Sequence, residues 1–145
     1  MIECKFCKRE LEKYLIKKFN HWTIYLAENQ YYLGRVYVVL NRHGPEKTTE
    51  LIKEEWNELK KISDKLTIAL ESLYKYNLIH YMVSQMRDRY HFHMHLIPRY
   101  ENAKKFYGEE FKDEMWGKPP FPTPKKEFNE EILIQIKEDI KNKLK

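Results

Sequence analysis

The chain has 145 residues, of which 42% are hydrophobic and 14% aromatic, a composition that excludes a disordered polypeptide. Its length suits one hydrophobic core, so we expect residues 1–145 to form a single domain. The 27 lysine and arginine residues exceed the 22 acidic ones, and the net charge of +5 suits an anionic ligand such as a nucleotide. The lysines are spread along the chain, so charge alone does not indicate a nucleic-acid site.

The N-terminal segment, residues 1–20, contains both cysteines of the chain. Its first residues are charged and lack the apolar core of a signal peptide. The longest aliphatic run, Val36–Leu40, is far shorter than the roughly 18 residues of a membrane helix, so we expect a cytoplasmic protein without membrane contact. Two residues separate Cys4 from Cys7, a spacing that suits half of a metal site or a redox pair better than a secreted disulfide framework.

The first half of the chain contains two predicted strands followed by a long predicted helix. Trp22–Ala27 and Arg35–Asn41 are rich in β-branched and aromatic residues, and Gly34 marks a turn before the second of them. From Leu51 to about Tyr76 the apolar residues recur every three or four positions, which predicts an amphipathic helix. The residues of its apolar stripe are Ile52, Trp56, Leu59, Ile62, Leu66, Leu70 and Leu73.

The second half predicts a hairpin, a long loop and a last helix. We expect strands over Leu78–Gln85 and His91–Ile97, joined by a turn at Met86–Tyr90. Residues 100–126 are aromatic, charged and proline-rich, so they predict mostly loop, and Asn129 is positioned to cap a C-terminal helix within 127–145. Antiparallel pairs around one long helix, without alternating βα units, predict the α+β class. The apolar stripe of the last helix consists of Ile132, Ile136, Ile140 and Leu144.

Three of the six histidines stand at every second position of the stretch RYHFHMHLIPRY, residues 89–100. On a strand, His91, His93 and His95 would share one face with about 6–7 Å between neighbours, pointing outward, while the residues between them face the core. Such a row of imidazoles can ligate a metal, or one of them can attack an electrophile while its neighbours stabilise charge. Both functions stay open on spacing alone. A merely polar edge is a weaker interpretation, because serine or lysine would serve it equally well.

The stretch HFHMHLIPR resembles the signature of the histidine-triad (HIT) family, in which three histidines alternate with apolar residues. The upstream stretch NQYYLGRVYVVLNRH is similar to the nucleotide-binding strand pair of that family, and the long helix after it is expected. The resemblance implies a HIT-like antiparallel sheet with one long central helix and a C-terminal helix. It also implies a homodimer. The activity implied is hydrolysis or transfer at the α-phosphate of a nucleotide conjugate, such as a diadenosine polyphosphate or an adenosine phosphoramidate.

The resemblance also assigns roles to individual residues. His93, the middle histidine, would be the nucleophile that forms a nucleotidyl-histidine intermediate, and His95 and His91 would flank it in the catalytic site. Some bacterial HIT proteins and the related galactose-1-phosphate uridylyltransferases complete a zinc site with two histidines at the positions of His43 and His91. Cys4 and Cys7 would supply the other two ligands of this structural zinc. His91 would then be a metal ligand rather than a catalytic donor, and no organic cofactor is expected.

Three further residues are candidates for substrate binding. Asn29 lies where the family carries a residue that bonds the ribose hydroxyls, although a turn-forming role for it is an equal alternative. Gln85 would contact phosphate. Arg35 stands where many members have histidine after glycine, and it would place a fixed charge near phosphate. The two arginines of the turn before the triad favour a longer or more negatively charged leaving group, such as a polyphosphate chain or a nucleic-acid end.

Two other functions compete with catalysis. One is a nucleotide-binding, zinc-stabilised interaction module with little turnover. The other is a basic nucleic-acid binder, which the scattered lysines favour least. The remaining isolated histidines, His21 and His80, are interpreted as structural.

Overall fold

The computed structural model describes residues 4–85 and 91–145 of the chain. The described residues form seven strands, two α-helices and two short 3-10 turns, at Glu12–Tyr14 and Thr48–Glu50. The strands are β1 (Leu15–Lys18), β2 (Trp22–Leu26), β3 (Val36–Leu40), β4 (Leu78–Val83), β5 (His93–Arg99), β6 (Lys104–Phe106) and β7 (Glu109–Phe111), and the helices are α1 (Lys53–Tyr74) and α2 (Glu130–Lys143).

Five strands form one antiparallel sheet in the order β1-β2-β3-β5-β4. The strand that carries the histidines, β5, therefore lies inside the sheet with hydrogen-bonded neighbours on both sides. Its register against β3 places Tyr37 opposite His95 and Val39 opposite His93. This double pairing fixes the backbone beneath the histidines. The α+β prediction, with an antiparallel sheet, one long helix and a C-terminal helix, is confirmed.

The predicted elements are present with shifted ends, and three short strands went unpredicted. The histidine strand begins at His93 rather than His91, and α1 is shorter than its predicted range at both ends. Strand β1 has only four residues and an irregular register, so it shows no alternation in the sequence. The segment predicted as mostly loop contains the β6–β7 hairpin, whose three-residue strands are largely charged. The predicted turn at 86–90 lies outside the described residues.

The two helices cover the sheet through their apolar residues. The middle of the α1 stripe is buried as predicted, but Ile52 and Trp56 at its start are 49% and 44% exposed. The start of α1 is held by a carboxylate instead, because buried Glu55 accepts hydrogen bonds from Arg42 and from the Ile52 amide. Helix α2 packs on β1 and α1 of its own chain. No helix in the described part of the chain is both long and apolar enough for a transmembrane span.

The predicted cap and stripe of α2 are confirmed. The Asn129 side chain accepts a hydrogen bond of 3.0 Å from the Ile132 amide, which satisfies one of the open N–H groups of the first turn. All four stripe residues of this helix are buried.

Gly34 sets the turn from which β3 starts, and it has two reasons to be glycine. Its φ of +88° lies in the left-handed region, and a Cβ there would meet Leu70 Cδ2 at 3.0 Å and Tyr74 Cδ2 at 3.2 Å. We expect Gly34→Ala to lower the free energy of unfolding by about 2–4 kcal/mol, since conformational strain and overpacking add. Urea unfolding monitored by tryptophan fluorescence measures this loss.

Gly117→Ala is the matched control. Gly117 has a similar φ of +83°, yet a Cβ added there would meet nothing within 4 Å. Only the conformational cost of about 1–2 kcal/mol is expected there. Equal losses at both glycines would show that contact with α1 does not matter at Gly34.

Candidate functional site

His93 and His95 lie on one face of β5 and His91 lies just before the strand, but His91 and His93 are buried rather than pointing outward. His91 and His93 keep 4% and 9% of their surface, and His95 is half-buried. The His93 and His95 ring centroids are 4.9 Å apart. Phe92 and Met94, between them, are buried in the core. The row of histidines is therefore largely shielded from solvent.

Backbone carbonyls fix the proton on two of the rings. His93 Nδ1 lies 2.7 Å from the carbonyl oxygen of His91, so Nδ1–H donates and the lone pair is on Nε2. His91 Nε2 lies 2.6 Å from the Leu40 carbonyl oxygen, so Nε2–H donates and the lone pair is on Nδ1. Neighbouring histidines therefore present opposite nitrogens. His93 offers Nε2 as a nucleophile, and His91 offers Nδ1 as a ligand.

Arg35 determines the state of the third histidine. Its Nη2 lies 3.2 Å from His95 Nδ1, and since a guanidinium only donates, His95 carries its proton on Nε2. Burial, then the nearby His93 and Arg35, lower the pKa of His95 to about 3. His95 is therefore a neutral imidazole near pH 7, able to donate a hydrogen bond through Nε2–H.

Aromatic rings enclose the row of histidines. Phe6, between the two cysteines, contacts the rings of His91 and His93 at centroid distances of 5.6 and 5.3 Å. Tyr37 of β3 stands edge-on to His95 at 5.0 Å, and Phe121 contacts His95 at 5.7 Å from the opposite side. These rings reduce water access around His93 and His95, which strengthens electrostatic interactions inside the site.

Four side chains meet at the His91 end of the row, namely Cys4, Cys7, His43 and His91. One potential ligand atom from each lies within 4.8 Å of all the others. His91 Nδ1 is 2.9 Å from His43 Nδ1, 3.2 Å from Cys4 Sγ and 3.5 Å from Cys7 Sγ. Cys7 Sγ is also 3.3 Å from His43 Nδ1. The sequence prediction named these same four residues.

The donor set fits a tetrahedral metal ion such as zinc. Bonds of about 2.3 Å to sulfur and 2.0–2.1 Å to nitrogen place ligand atoms roughly 3.3–3.8 Å apart, close to the spacing seen here. The His91 tautomer already points its lone pair inward. Burial and the adjacent Cys4 raise the pKa of Cys7 to about 11, so the Cys7 thiol would become a thiolate near pH 7 only with a bound cation.

An ion pair at the end of β3 holds the His43 side of this cluster. Arg42 Nε and Nη2 donate to Glu55 at 2.7 and 2.8 Å, and Arg42 also donates to the Glu50 carbonyl. The hydrogen bonds from Arg42 lower the pKa of Glu55, which keeps it ionised. The residue directly before His43 is thereby fixed to α1.

The side chains of Asn29 and Gln85 form hydrogen bonds with backbone groups of loops rather than with the histidines. The Asn29 amide donates to the Pro124 carbonyl at 3.0 Å, and its oxygen accepts from the Tyr31 amide, as in a turn. Gln85 is exposed and donates to the Glu46 carbonyl at 3.1 Å. Arg35, by contrast, lies directly beside the histidines. Of the two predicted structural histidines, His80 lies 3.5 Å from Arg99, and the backbone of His21 binds Glu58.

The sequence prediction overlooked a buried ion pair at the end of β5, next to the loop that carries Phe121. Arg99 and Asp113 are almost fully buried and joined at 2.6 Å, and Arg99 also donates to the Met115 and Lys118 carbonyls. This pairing fixes the loop that leads to Phe121. The Pro-Arg after the triad was a visible signal, but its partner lies 14 positions away and only the fold joins them.

Neither a protein-family model nor a curated protein matches the sequence of this chain. Solved structures do match. A hypothetical histidine-triad nucleotide-binding protein from Sulfolobus tokodaii is 21% identical with a TM-score of 0.73, covering 97% of this chain and 89% of that one. A histidine-triad protein from Marinobacter aquaeolei gives 18% identity and a TM-score of 0.74, covering 94% and 93%.

The chain has the histidine-triad fold. The fold expectation drawn from the HFHMHLIPR stretch is thereby confirmed. A zinc-bound histidine-triad family protein from Mycobacterium smegmatis is also similar, at 12% identity with a TM-score of 0.66, covering 98% of this chain and 95% of that one. In this histidine-triad fold, the Cys/His cluster lies at the start of β5, because its member His91 is two residues before the nucleophile candidate His93.

Proposed function

We propose that this protein is a histidine-triad family hydrolase or transferase that acts at the α-phosphate of a nucleotide conjugate. One observation carries the proposal, namely the hydrogen bond of 2.7 Å between His93 Nδ1 and the His91 carbonyl oxygen. It fixes the tautomer that a nucleophilic imidazole requires, with the lone pair on Nε2. The interior position of β5 supports it, because a fixed backbone pre-orients the ring.

The reaction has two steps. His93 Nε2 forms a bond to the α-phosphorus, the bond to the leaving group breaks, and the leaving group takes the electron pair. Water or another acceptor then attacks the phosphorus and releases a proton to the solution, while the N–P bond breaks and its electron pair returns to Nε2. His95 Nε2–H would donate a hydrogen bond to a phosphoryl oxygen as charge develops. Candidate substrates are diadenosine polyphosphates and adenosine phosphoramidates.

Three further side chains would bind the nucleotide during this reaction. Arg35 would bind phosphate from the His95 end of the row, where its guanidinium is already oriented. Asn29 would bond the ribose hydroxyls and Gln85 a phosphate oxygen. Each side-chain amide already donates one hydrogen bond, Asn29 to Pro124 and Gln85 to Glu46, so each would bind substrate through its remaining N–H or its oxygen.

Cys4, Cys7, His43 and His91 would hold a structural zinc ion. The number and type of donors and their mutual distances support this assignment. Bound zinc would fix the N-terminal segment beside β5 and leave His91 a ligand rather than a catalytic donor. Thiolate ligands also suit a reducing compartment such as the cytoplasm.

A second function is favoured by the burial of the nucleophile candidate. His93 keeps only 9% of its surface, and the Phe6 ring covers it. If Phe6 stays in place, the protein would be a nucleotide-binding, zinc-stabilised interaction module with little turnover. Mixing the protein with a diadenosine polyphosphate and searching for a nucleotidyl group on His93 separates the two functions. The enzyme forms this adduct, and the module binds nucleotide without forming it.

We also infer a homodimer formed through the β4 edge of the sheet. Among the described residues nothing pairs with the outer side of β4, and Tyr81 and Val83 are 51% and 45% exposed. Exposed apolar edge strands favour pairing with another strand, whereas lysines protect the other edge, at Lys17 and Lys18 of β1. A second copy of β4 is the simplest partner, because it would extend the sheet symmetrically.

Val83→Lys tests this interface. A buried charge at the β4 edge is expected to weaken dimerisation by about tenfold or more, measured as the dissociation constant in sedimentation equilibrium. Asn20→Lys adds the same charge at an exposed position between β1 and β2, at the opposite side of the sheet, and should leave the constant unchanged. A monomeric wild-type protein, or equal effects of both variants, would contradict the proposed interface.

A further inference from the structure

Arg35 is a buried cation with an open hydrogen-bonding position. Only 6% of its surface is exposed, yet its Nε has no hydrogen-bond partner in the part of the chain that the structure describes. The guanidinium lies between the rings of Tyr37 and Phe121, at 5.6 and 5.4 Å from their centroids. Among the described residues, its two terminal nitrogens contact neutral groups, His95 Nδ1 at 3.2 Å and Thr123 Oγ1 at 3.4 Å. None of these contacts compensates its charge.

Two other arginines, unlike Arg35, have acidic partners. Arg99 is bound by Asp113, and Arg42 is bound by Glu55, each at ion-pair distance. Within residues 4–85 and 91–145, no carboxylate forms an ion pair with Arg35. A buried unpaired charge costs several kcal/mol, so a cation that stays unpaired beside a row of histidines indicates a site for an anion.

We propose that Arg35 binds the leaving group, and that the site selects nucleotides whose leaving group is a phosphate joined through a P–O–P anhydride. The inference rests on the proposed function, because it assumes attack by His93 on the α-phosphorus. Arg35 lies at the His95 end of the row, opposite the Cys/His cluster at the His91 end. The guanidinium lies 3.2 Å from His95, whose ring centroid is 4.9 Å from that of His93, so Arg35 would meet the phosphoryl group next to the one attacked.

The chemistry of the two leaving groups explains the selection. When the P–O bond of an anhydride breaks, the electron pair goes to the bridging oxygen and the phosphate leaves as an oxyanion, which needs no proton. Arg35 compensates that charge through charge-assisted hydrogen bonds. When a P–N bond breaks, the amine leaves with the electron pair and needs a proton. The ring beside Arg35, His95, is kept neutral by its burial and by the nearby His93 and Arg35, so it is a weak proton donor.

The test compares two substrates with the same AMP half, diadenosine triphosphate and adenosine 5′-phosphoramidate. Wild type should prefer the anhydride in kcat/KM. Arg35→Gln should lower kcat/KM for the anhydride by about 10²- to 10³-fold and for the phosphoramidate by less than tenfold, while Arg35→Lys restores part of the anhydride activity. A structural role of Arg35 would instead lower both substrates equally and would not be rescued by lysine.

A binding measurement keeps the proposal testable if Arg35→Gln folds poorly. Titration calorimetry of inorganic pyrophosphate into wild type and Arg35→Lys should show binding to wild type that weakens about tenfold or more in the variant. A wild type that prefers the phosphoramidate, or that does not bind pyrophosphate, overturns the role of Arg35 while leaving the His93 mechanism intact. A wild type that releases AMP from neither substrate and forms no His93 adduct overturns the proposed function itself.

Discussion

Replacing His93 with alanine is expected to lower AMP release from a nucleotide conjugate by about 10³-fold or more, because the variant has no atom that can form the N–P bond. The loss should appear in kcat rather than KM. The ring lies on the floor of the site, and neighbouring groups, including Arg35 and His95, would still bind phosphate. Steady-state kinetics with diadenosine triphosphate measure both parameters.

Two variants separate this effect from a structural one. His93→Asn retains an N–H donor near the position of Nδ1, so it can still bond the His91 carbonyl while lacking a nucleophile, and it should be as inactive as alanine. His21→Ala removes an imidazole away from the triad and should retain wild-type activity. Activity of His93→Asn near that of wild type would exclude His93 as the nucleophile.

Removing zinc is the second change for which a large effect is expected. If the Cys/His cluster binds zinc and the concentration of free zinc is about 1,000 times the Kd, binding raises the free energy of unfolding by about 4 kcal/mol. In a domain of this size that corresponds to a fall in Tm of about 10 °C after chelation. Metal analysis should give one zinc per chain. Calorimetry with and without a strong chelator measures the shift.

The double variant Cys4→Ser, Cys7→Ser is the matched control for chelation. It should contain no zinc, melt near the temperature of chelated wild type, and show no further shift with chelator. Its activity should also change, because the N-terminal segment positions Phe6 over His91 and His93. A chelator that shifts the variant as much as wild type would show that the stabilising metal binds elsewhere.

The alternation of residues 91–97 was enough to predict the strand and its row of histidines, because side-chain period and burial agree there. The same pattern could not show that His91 and His93 are covered. Phe6, which covers them, lies more than 80 positions away in a segment whose own pattern predicts no contact with β5. The metal cluster was predictable only through family resemblance, since Cys4, Cys7 and His43 are brought to His91 by tertiary structure.

Charged residues were the least predictable part of the site. The Arg35 side chain follows a turn glycine and could equally have faced solvent, and only the positions of Tyr37, Phe121 and Thr123 make it a buried cation. The pairing of Arg99 with Asp113 likewise depends on how the chain returns to the sheet. Patterns of hydrophobicity identify elements, whereas the partners of buried charges depend on how those elements pack.

Detection of a nucleotide on His93 tests the proposed covalent mechanism without relying on turnover. Wild type and His93→Asn would be mixed with diadenosine triphosphate and quenched in base, since the N–P bond of a nucleotidyl-histidine is labile in acid. Intact and peptide mass spectrometry would then locate any adduct. We expect one nucleoside monophosphoryl group on the wild-type peptide that contains His93, and none on the variant. AMP release without an adduct, or an adduct on another residue, would contradict the mechanism.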